Sequence, residues 1–232
     1  MRQIYFMHVP KSGGTSIREM LEGQFEQTDV FPSREMIARE PTCYHNFRAF
    51  KDLWNRNGGR HYALVAGHVP YWRIRGLLDD DCLTITYMRE PLARAISEII
   101  HHQSANPRWR DVPINDIIRN NEAVFRKSFG VGSYFGRTPE AASKALSRFD
   151  LVGLQSRFEQ SLEMLNHLTG LELEARHSNV GSRSEQGDDQ LAISALYELQ
   201  DKLADDAKFY TEACASFHRG RMRMRKQLGG RT

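Results

Sequence analysis

The sequence predicts an α/β protein of three layers, with a central, mainly parallel sheet flanked by helices. Three observations lead there. Short, mainly apolar runs rich in aromatic and branched residues recur at 4–9, 61–66, 83–88 and 149–154, as expected of buried strands. A stretch of helical periodicity follows each run, which is the strand-helix order of a parallel sheet. Polar residues and glycines sit directly after several of these strands, where open α/β sheets gather their ligands. The 232 residues suffice for one such domain with a full core.

The first strand runs into Pro10-Lys11-Ser12-Gly13-Gly14-Thr15-Ser16, after which Ile17, Met20 and Leu21 share one helical face. Two glycines let the backbone approach a ligand, and Thr15 or Ser16 is expected to cap the helix whose N–H groups and dipole face the same point. Lys11 adds a full positive charge, so the segment reads as an anion cradle. Its order differs from that of the nucleotide triphosphatase loop, where the lysine follows the glycines and directly precedes Ser or Thr. Here the lysine comes first.

Gly23 and the polar stretch 27–33 read as a loop. Asn46 caps a helix over 47–56 that Gly58-Gly59 stops, and Phe47, Phe50, Leu53 and Trp54 share its buried face. The second strand runs into Gly67-His68-Val69-Pro70-Tyr71, placing His68 just past a carboxyl end. The third strand is turned by Arg89-Glu90-Pro91 into a helix reaching about Gln103, which buries Ala95, Ile96, Ile99 and Ile100. Arg89 stands at the strand's end, and Ser97 lies eight residues on, in the second turn.

His101 and His102 near that helix's end read as dipole partners rather than metal ligands, because adjacent residues do not share a helix face. Pro113 opens a helix holding Ile114, Ile117, Ile118, Val124 and Phe125. Thr138-Pro139-Glu140 starts another, reaching about Arg148, and the fourth strand follows. Ser156 and Glu159 form a capping box for a helix carrying Phe158, Leu162, Leu165 and Leu168, closed by Gly170. A polar loop over 177–183 precedes helices at about 188–203 and 205–217, which complete a single domain over 1–218. Residues 219–232 are a basic tail carrying Arg219, Arg221, Arg223, Arg225, Lys226 and Arg231, expected to be solvated and disordered.

The formal net charge is +3, and the tail supplies more positive charge than that, so the body is slightly acidic. Hydrophobic content of 40% and charged content of 26% are those of an ordinary soluble protein, which fits an enzyme or a binding module. No apolar run approaches the ~20 residues that cross a bilayer, and the N-terminal run ends in Pro-Lys rather than a small-residue cleavage site. A soluble, cytoplasmic protein is therefore expected. Cys43, Cys82 and Cys214 are odd in number and widely spaced, as packing thiols would be.

The string His8-Val9-Pro10-Lys11-Ser12-Gly13-Gly14-Thr15-Ser16 resembles the 5'-phosphosulfate loop of the sulfotransferases that use 3'-phosphoadenosine 5'-phosphosulfate (PAPS). Its form is that of the heparan sulfate and uronyl 2-O-sulfotransferases and their bacterial relatives. Gly67-His68-Val69-Pro70-Tyr71 resembles the Gly-His-Val-Ser-Tyr segment of that family, and Arg89-Glu90-Pro91 with Ser97 resembles its 3'-phosphate site. The resemblance covers most of the chain. It implies a P-loop-like fold and transfer of a sulfuryl group from PAPS to an acceptor hydroxyl, expected on a carbohydrate, though a phenol or small metabolite stays open. His68 would be the general base and Lys11 would stabilise the leaving phosphate. Ser12, Gly13, Gly14, Thr15 and Ser16, with Lys11, would hold the 5'-phosphate, and Arg89 and Ser97 the 3'-phosphate. The implied chemistry needs no metal.

The family's basic loop over the nucleotide corresponds to 177–183, which assigns Ser182 and Arg183 to cofactor contact, a plain surface loop being the alternative there. The family often has a further histidine two places before the base; here that place is Ala66. Eukaryotic members are anchored in the Golgi membrane, so this chain matches a soluble, bacterial-type member. The segment 104–136 resembles the family least and is expected to border the acceptor. Nucleic acid is not an expected partner. Two other readings stay open: a phosphate-loop kinase or nucleotide triphosphatase, and a non-catalytic module binding anionic polymers through its tail. Against the first, the third strand ends in arginine rather than a magnesium-binding aspartate.

Overall fold

A computed structural model describes residues 1–59, 61–105, 107, 110–120, 130–175 and 193–229. Its strands are β1 (Ile4–Met7), β2 (Val30–Phe31), β3 (Leu64–Gly67), β4 (Leu83–Met88) and β5 (Leu151–Leu154). They form one five-stranded sheet in the order β2-β3-β1-β4-β5, every pair parallel. Every strand residue is buried, because helices flank the sheet and leave no face for polar residues to alternate onto.

The helices are α1 (Gly14–Glu22), α2 (Arg34–Arg39), α3 (Phe47–Arg56), α4 (Tyr71–Ile74), α5 (Pro91–Ala105), α6 (Ile114–Asn120), α7 (Pro139–Leu146), α8 (Phe158–Thr169), α9 (Ile193–Lys202) and α10 (Ala204–Gly229). Local chemistry accounts for several boundaries. Asn46 Oδ1 accepts from Ala49 N–H at 3.1 Å to start α3, and Gly58 and Gly59 take φ of 80° and 56° beyond its end. Thr138 caps α7, and Gly170 at φ 73° ends α8. The expected capping box at Ser156 is not formed. A single 3-10 turn, Gln155–Arg157, comes first, and Ser161 Oγ instead accepts from Leu154 N–H at 2.9 Å, tying the end of β5 to α8.

Two differences from the expected elements lie near the sheet edge and the C-terminus. The stretch 27–33 holds the edge strand β2, whose two residues are too few to display a period. Burial of Phe31 fixes it, with ring centroids of Phe50, Trp54 and Tyr62 at 4.9, 5.0 and 4.9 Å. At the other end, α10 does not stop at Phe217 but runs to Gly229. Phe217, Gly220 and Met224 recur at helical spacing and lie on the body: Met224 is buried, and Met164 Cε comes within 2.8 Å of an ideal Cβ on Gly220. Arg219, Arg221, Arg223, Arg225 and Lys226 therefore stand on a helix rather than in a disordered tail.

Register decides where the site lies. Met7 is level with Gly67 on one side and with Thr86 on the other. The chain leaves β1 towards β3 and β2 but leaves β4 towards β5, so these neighbours have diverging outgoing connections. Such a divergence opens a crevice at the carboxyl ends of the two strands. The main core packs around the sheet, and a smaller cluster joins α5, α6 and α9 through Ala95, Ile99, Ile117, Ile118, Ala195 and Leu199. No helix among the described residues is long and apolar enough to cross a membrane.

Candidate functional site

Residues 8–13 carry the chain from β1 into α1 at the mouth of this crevice. Gly13, at φ 81°, is the residue before the helix, and no side chain caps it. Thr15 and Ser16 are thus not caps but members of the first turn, because a left-handed glycine swings the backbone straight into the helix. A helix start leaves its leading N–H groups without intrahelical acceptors, and the first turn of α1 carries no acidic residue to offset its positive end. Lys11 is half-buried and also left-handed, at φ 60°, a conformation costing a non-glycine residue about 1 kcal/mol. Ser12 is 1% exposed, and its Oγ has no hydrogen-bond partner.

Gly14 has a different reason for being glycine. Its backbone is ordinary, but an ideal Cβ there would lie 2.1 Å from Cδ2 and 2.4 Å from Nε2 of His8. The imidazole of His8 occupies that space, buried against the loop, with its Nδ1 2.7 Å from the Tyr44 hydroxyl.

His68 emerges one residue past β3, level with His8 one residue past β1. Its main-chain N–H donates to the Tyr44 carbonyl at 2.7 Å, and its Nδ1 lies 2.5 Å from the His8 carbonyl oxygen. A carbonyl only accepts, so this partner assigns the proton to Nδ1 and leaves Nε2 as the basic nitrogen. Burial pulls the His68 pKa down to about 4, against a smaller opposing effect of the His8 carbonyl, so the ring is neutral near pH 7. Burial, then His68, Arg18 and Lys11, likewise hold His8 well below an ordinary histidine. The ring centroids of His8 and His68 are 4.3 Å apart. A second imidazole is therefore present beside His68 although position 66 is alanine. Sequence reading missed it because the pair is 60 residues apart; the available signal was that both residues follow buried strands that turn out to be neighbours.

Arg89 stands just past β4, with Nη1 3.4 Å from the Lys11 carbonyl and a buried Nε that has no hydrogen-bond partner. Glu90 closes the start of α5, accepting from Leu92 N–H at 3.0 Å and Ala93 N–H at 2.7 Å. That helix end is thus already satisfied, and Arg89 brings a cation to the end of β4. Ser97 is half-buried in the second turn of α5. His102 Nε2 is 3.1 Å from Glu98 Oε1, one turn back, and His101 is harder to protonate through burial and then the charge of Lys11. Ser182 and Arg183 lie outside the described residues.

Lys11, His68 and Arg89 thus meet at the carboxyl edge of β1, β3 and β4, with the loop residues between them. A cavity of about 310 Å³ lies elsewhere, between α2 and α3, lined by Ser33, Met36, Arg39, Leu53, Arg56 and Asn57. Its charges are already paired, Arg39 with Glu35 and Arg56 with Glu40, so it presents no such unsatisfied groups. Among the described residues no cluster of His, Cys, Asp or Glu is arranged to hold a metal ion. No protein-family model matches the chain, and no curated protein matches it at a significant level.

Proposed function

We propose that this chain is a PAPS-dependent O-sulfotransferase acting on a hydroxyl-bearing acceptor, most simply a saccharide. The observation that carries the reading is the convergence of a lysine-first anion loop, a neutral histidine with a free Nε2, and a strand-end arginine on one crevice. The residues fit a nucleotide with two separate anionic groups. Ser12 Oγ and Arg89 Nε are buried polar atoms still lacking partners, one in the loop and one beyond β4.

When bound, PAPS supplies an activated sulfuryl group. Gly13, Gly14, Thr15 and Ser16 present the start of α1 to the 5'-phosphate, and Ser12 adds a hydroxyl. Lys11 neutralises charge building on the leaving oxygen, the demand shared with phosphoryl transfer. Arg89 supplies a fixed cation for the 3'-phosphate, with Ser97 as hydroxyl donor. His68 Nε2 accepts the proton of the acceptor hydroxyl. Its Nδ1–H goes on donating to the His8 carbonyl, so the resulting imidazolium stays hydrogen-bonded.

Thermal unfolding with 3'-phosphoadenosine 5'-phosphate, 5'-AMP and magnesium-ATP tests the nucleotide. A ligand at 100 times its dissociation constant adds ~2.7 kcal/mol, roughly 5–10 °C in a chain of this size. The expected result is a shift with the 3'-phosphorylated nucleotide that exceeds both controls and collapses to the 5'-AMP level in Arg89→Ala. A larger shift with magnesium-ATP would mark a kinase or triphosphatase instead, and no shift at all a non-catalytic module.

A further inference from the structure

We propose that Tyr44 is a positioning residue for the histidine base, closing a three-residue hydrogen-bonded ring with His8 and His68 that fixes which nitrogen of His68 is free. The inference rests on the base role given to His68 above, but its geometry stands by itself. Tyr44 ends the 3-10 turn Pro41–Tyr44 and touches His68 in two ways. Its carbonyl accepts the main-chain N–H of His68 at 2.7 Å, and its ring packs edge-on against the imidazole, with centroids 4.7 Å apart and planes at 70°. The third contact is made through His8, whose Nδ1 is 2.7 Å from the Tyr44 hydroxyl and whose carbonyl takes Nδ1–H of His68. Tyr44 thus holds the base directly and also holds the residue that sets its tautomer.

The ring is itself braced. The Arg18 guanidinium lies 4.3 Å from the centre of the Tyr44 ring. Arg18 in turn is fixed by Glu22 at 2.5 Å and by the Pro32 carbonyl at 2.9 Å, and Glu22 also binds Arg34 at 2.7 Å. Gly67 completes the fit, because an ideal Cβ there would sit 3.1 Å from the Tyr44 carbonyl oxygen. Among the described residues the groups facing His68 are accordingly His8 at the end of β1, Arg18 from α1, Tyr44 from the 3-10 turn and His45 just after it. None is an acid that would stabilise a charged imidazole in the resting site.

Long-range nitrogen–proton NMR of isotope-labelled histidines reads the tautomer and titration of His68 without any turnover, in the full chain and in Tyr44→Phe and Tyr44→Leu. The expected result is a single Nδ1–H tautomer in the parent. Both variants keep the main-chain carbonyl; Tyr44→Leu, which loses ring and hydroxyl, should show mixed tautomers and titrate nearer an ordinary histidine, with Tyr44→Phe, which loses only the hydroxyl, in between. With an acceptor in hand, Tyr44→Leu should lower kcat about tenfold or more while 3'-phosphoadenosine 5'-phosphate binding stays within about twofold. A folded Tyr44→Leu with unchanged tautomer and titration overturns the positioning role, and so does a Tyr44→Phe indistinguishable from the parent if the leucine variant does not fold. Failure of the nucleotide to bind the parent would instead count against the sulfotransferase reading, leaving the NMR result intact.

Discussion

At the Cβ position of Gly14 the ring of His8 is 2.1 Å away, and that ring is also stacked on Phe6 at 5.5 Å and tilted against His68 at 4.3 Å. It has no open side to move into. Gly14→Ala should therefore cost about 2 kcal/mol in urea unfolding, with a loosened His8, whereas Gly23→Ala, where the nearest atom is 3.5 Å off, should be nearly neutral. Equal costs would mean that His8 yields freely. His68→Ala belongs to the same scale. Removing a general base should lower turnover by about 10²- to 10⁴-fold while nucleotide affinity hardly changes, and a parallel loss of both would deny His68 that role.

Among the elements, the start of α10 is held by charge as well as by packing. Asp206 Oδ2 lies 3.7 Å from Arg94 Nη2, with the arginine side chain only 2% exposed, and Asp206 Oδ1 accepts from Val131 N–H at 3.0 Å. Asp206→Ala takes the carboxylate from both, and a loss of about 3 kcal/mol is expected by calorimetry at pH 5, with a smaller loss at pH 7. A change under 1 kcal/mol would show that α5 and α10 are joined by apolar contacts alone. The elements also show what a sequence can disclose. The four main strands, the Asn46 and Thr138 caps and the Gly170 stop were readable because each rests on neighbours within a few residues. Lys11, Arg89 and His68 were readable as strand-end residues for the same reason. Strand β2, the long α10 and the Tyr44–His8–His68 ring were not, since each depends on partners far along the chain: Phe31 on Tyr62, Gly220 on Met164, His68 on His8.

For the molecule as a whole, acid is the informative stress. His68 is held at about 4 and His8 well below its ordinary value, both chiefly by burial. As pH falls below about 6.5 the unfolded chain takes up protons at these positions before the folded chain does. Their contribution to stability is thus present above about pH 6.5 and is lost as pH falls towards the folded values. Asp206 works in the opposite sense: burial raises it from 3.8 to about 6, so its contribution is present below its ordinary value and lost as pH rises through about 6. Urea midpoints at pH 7 and pH 5 should therefore fall in the parent, fall less in His68→Gln, and fall more steeply in Asp206→Asn. A parent-like slope in His68→Gln would contradict a histidine buried in its neutral form.

The place of β1 in the sheet has one more consequence. The first strand, β1, is also the central one, hydrogen-bonded on one side to β3 and on the other to β4, with Thr86 79 positions after Met7. On a ribosome making about 5–20 residues per second, Ile4, Tyr5, Phe6 and Met7 emerge about 4–16 seconds before their second partner exists. During synthesis the strand that carries the anion loop is thus an apolar segment awaiting its sheet, and protection of this segment until β4 emerges is the demand of this topology.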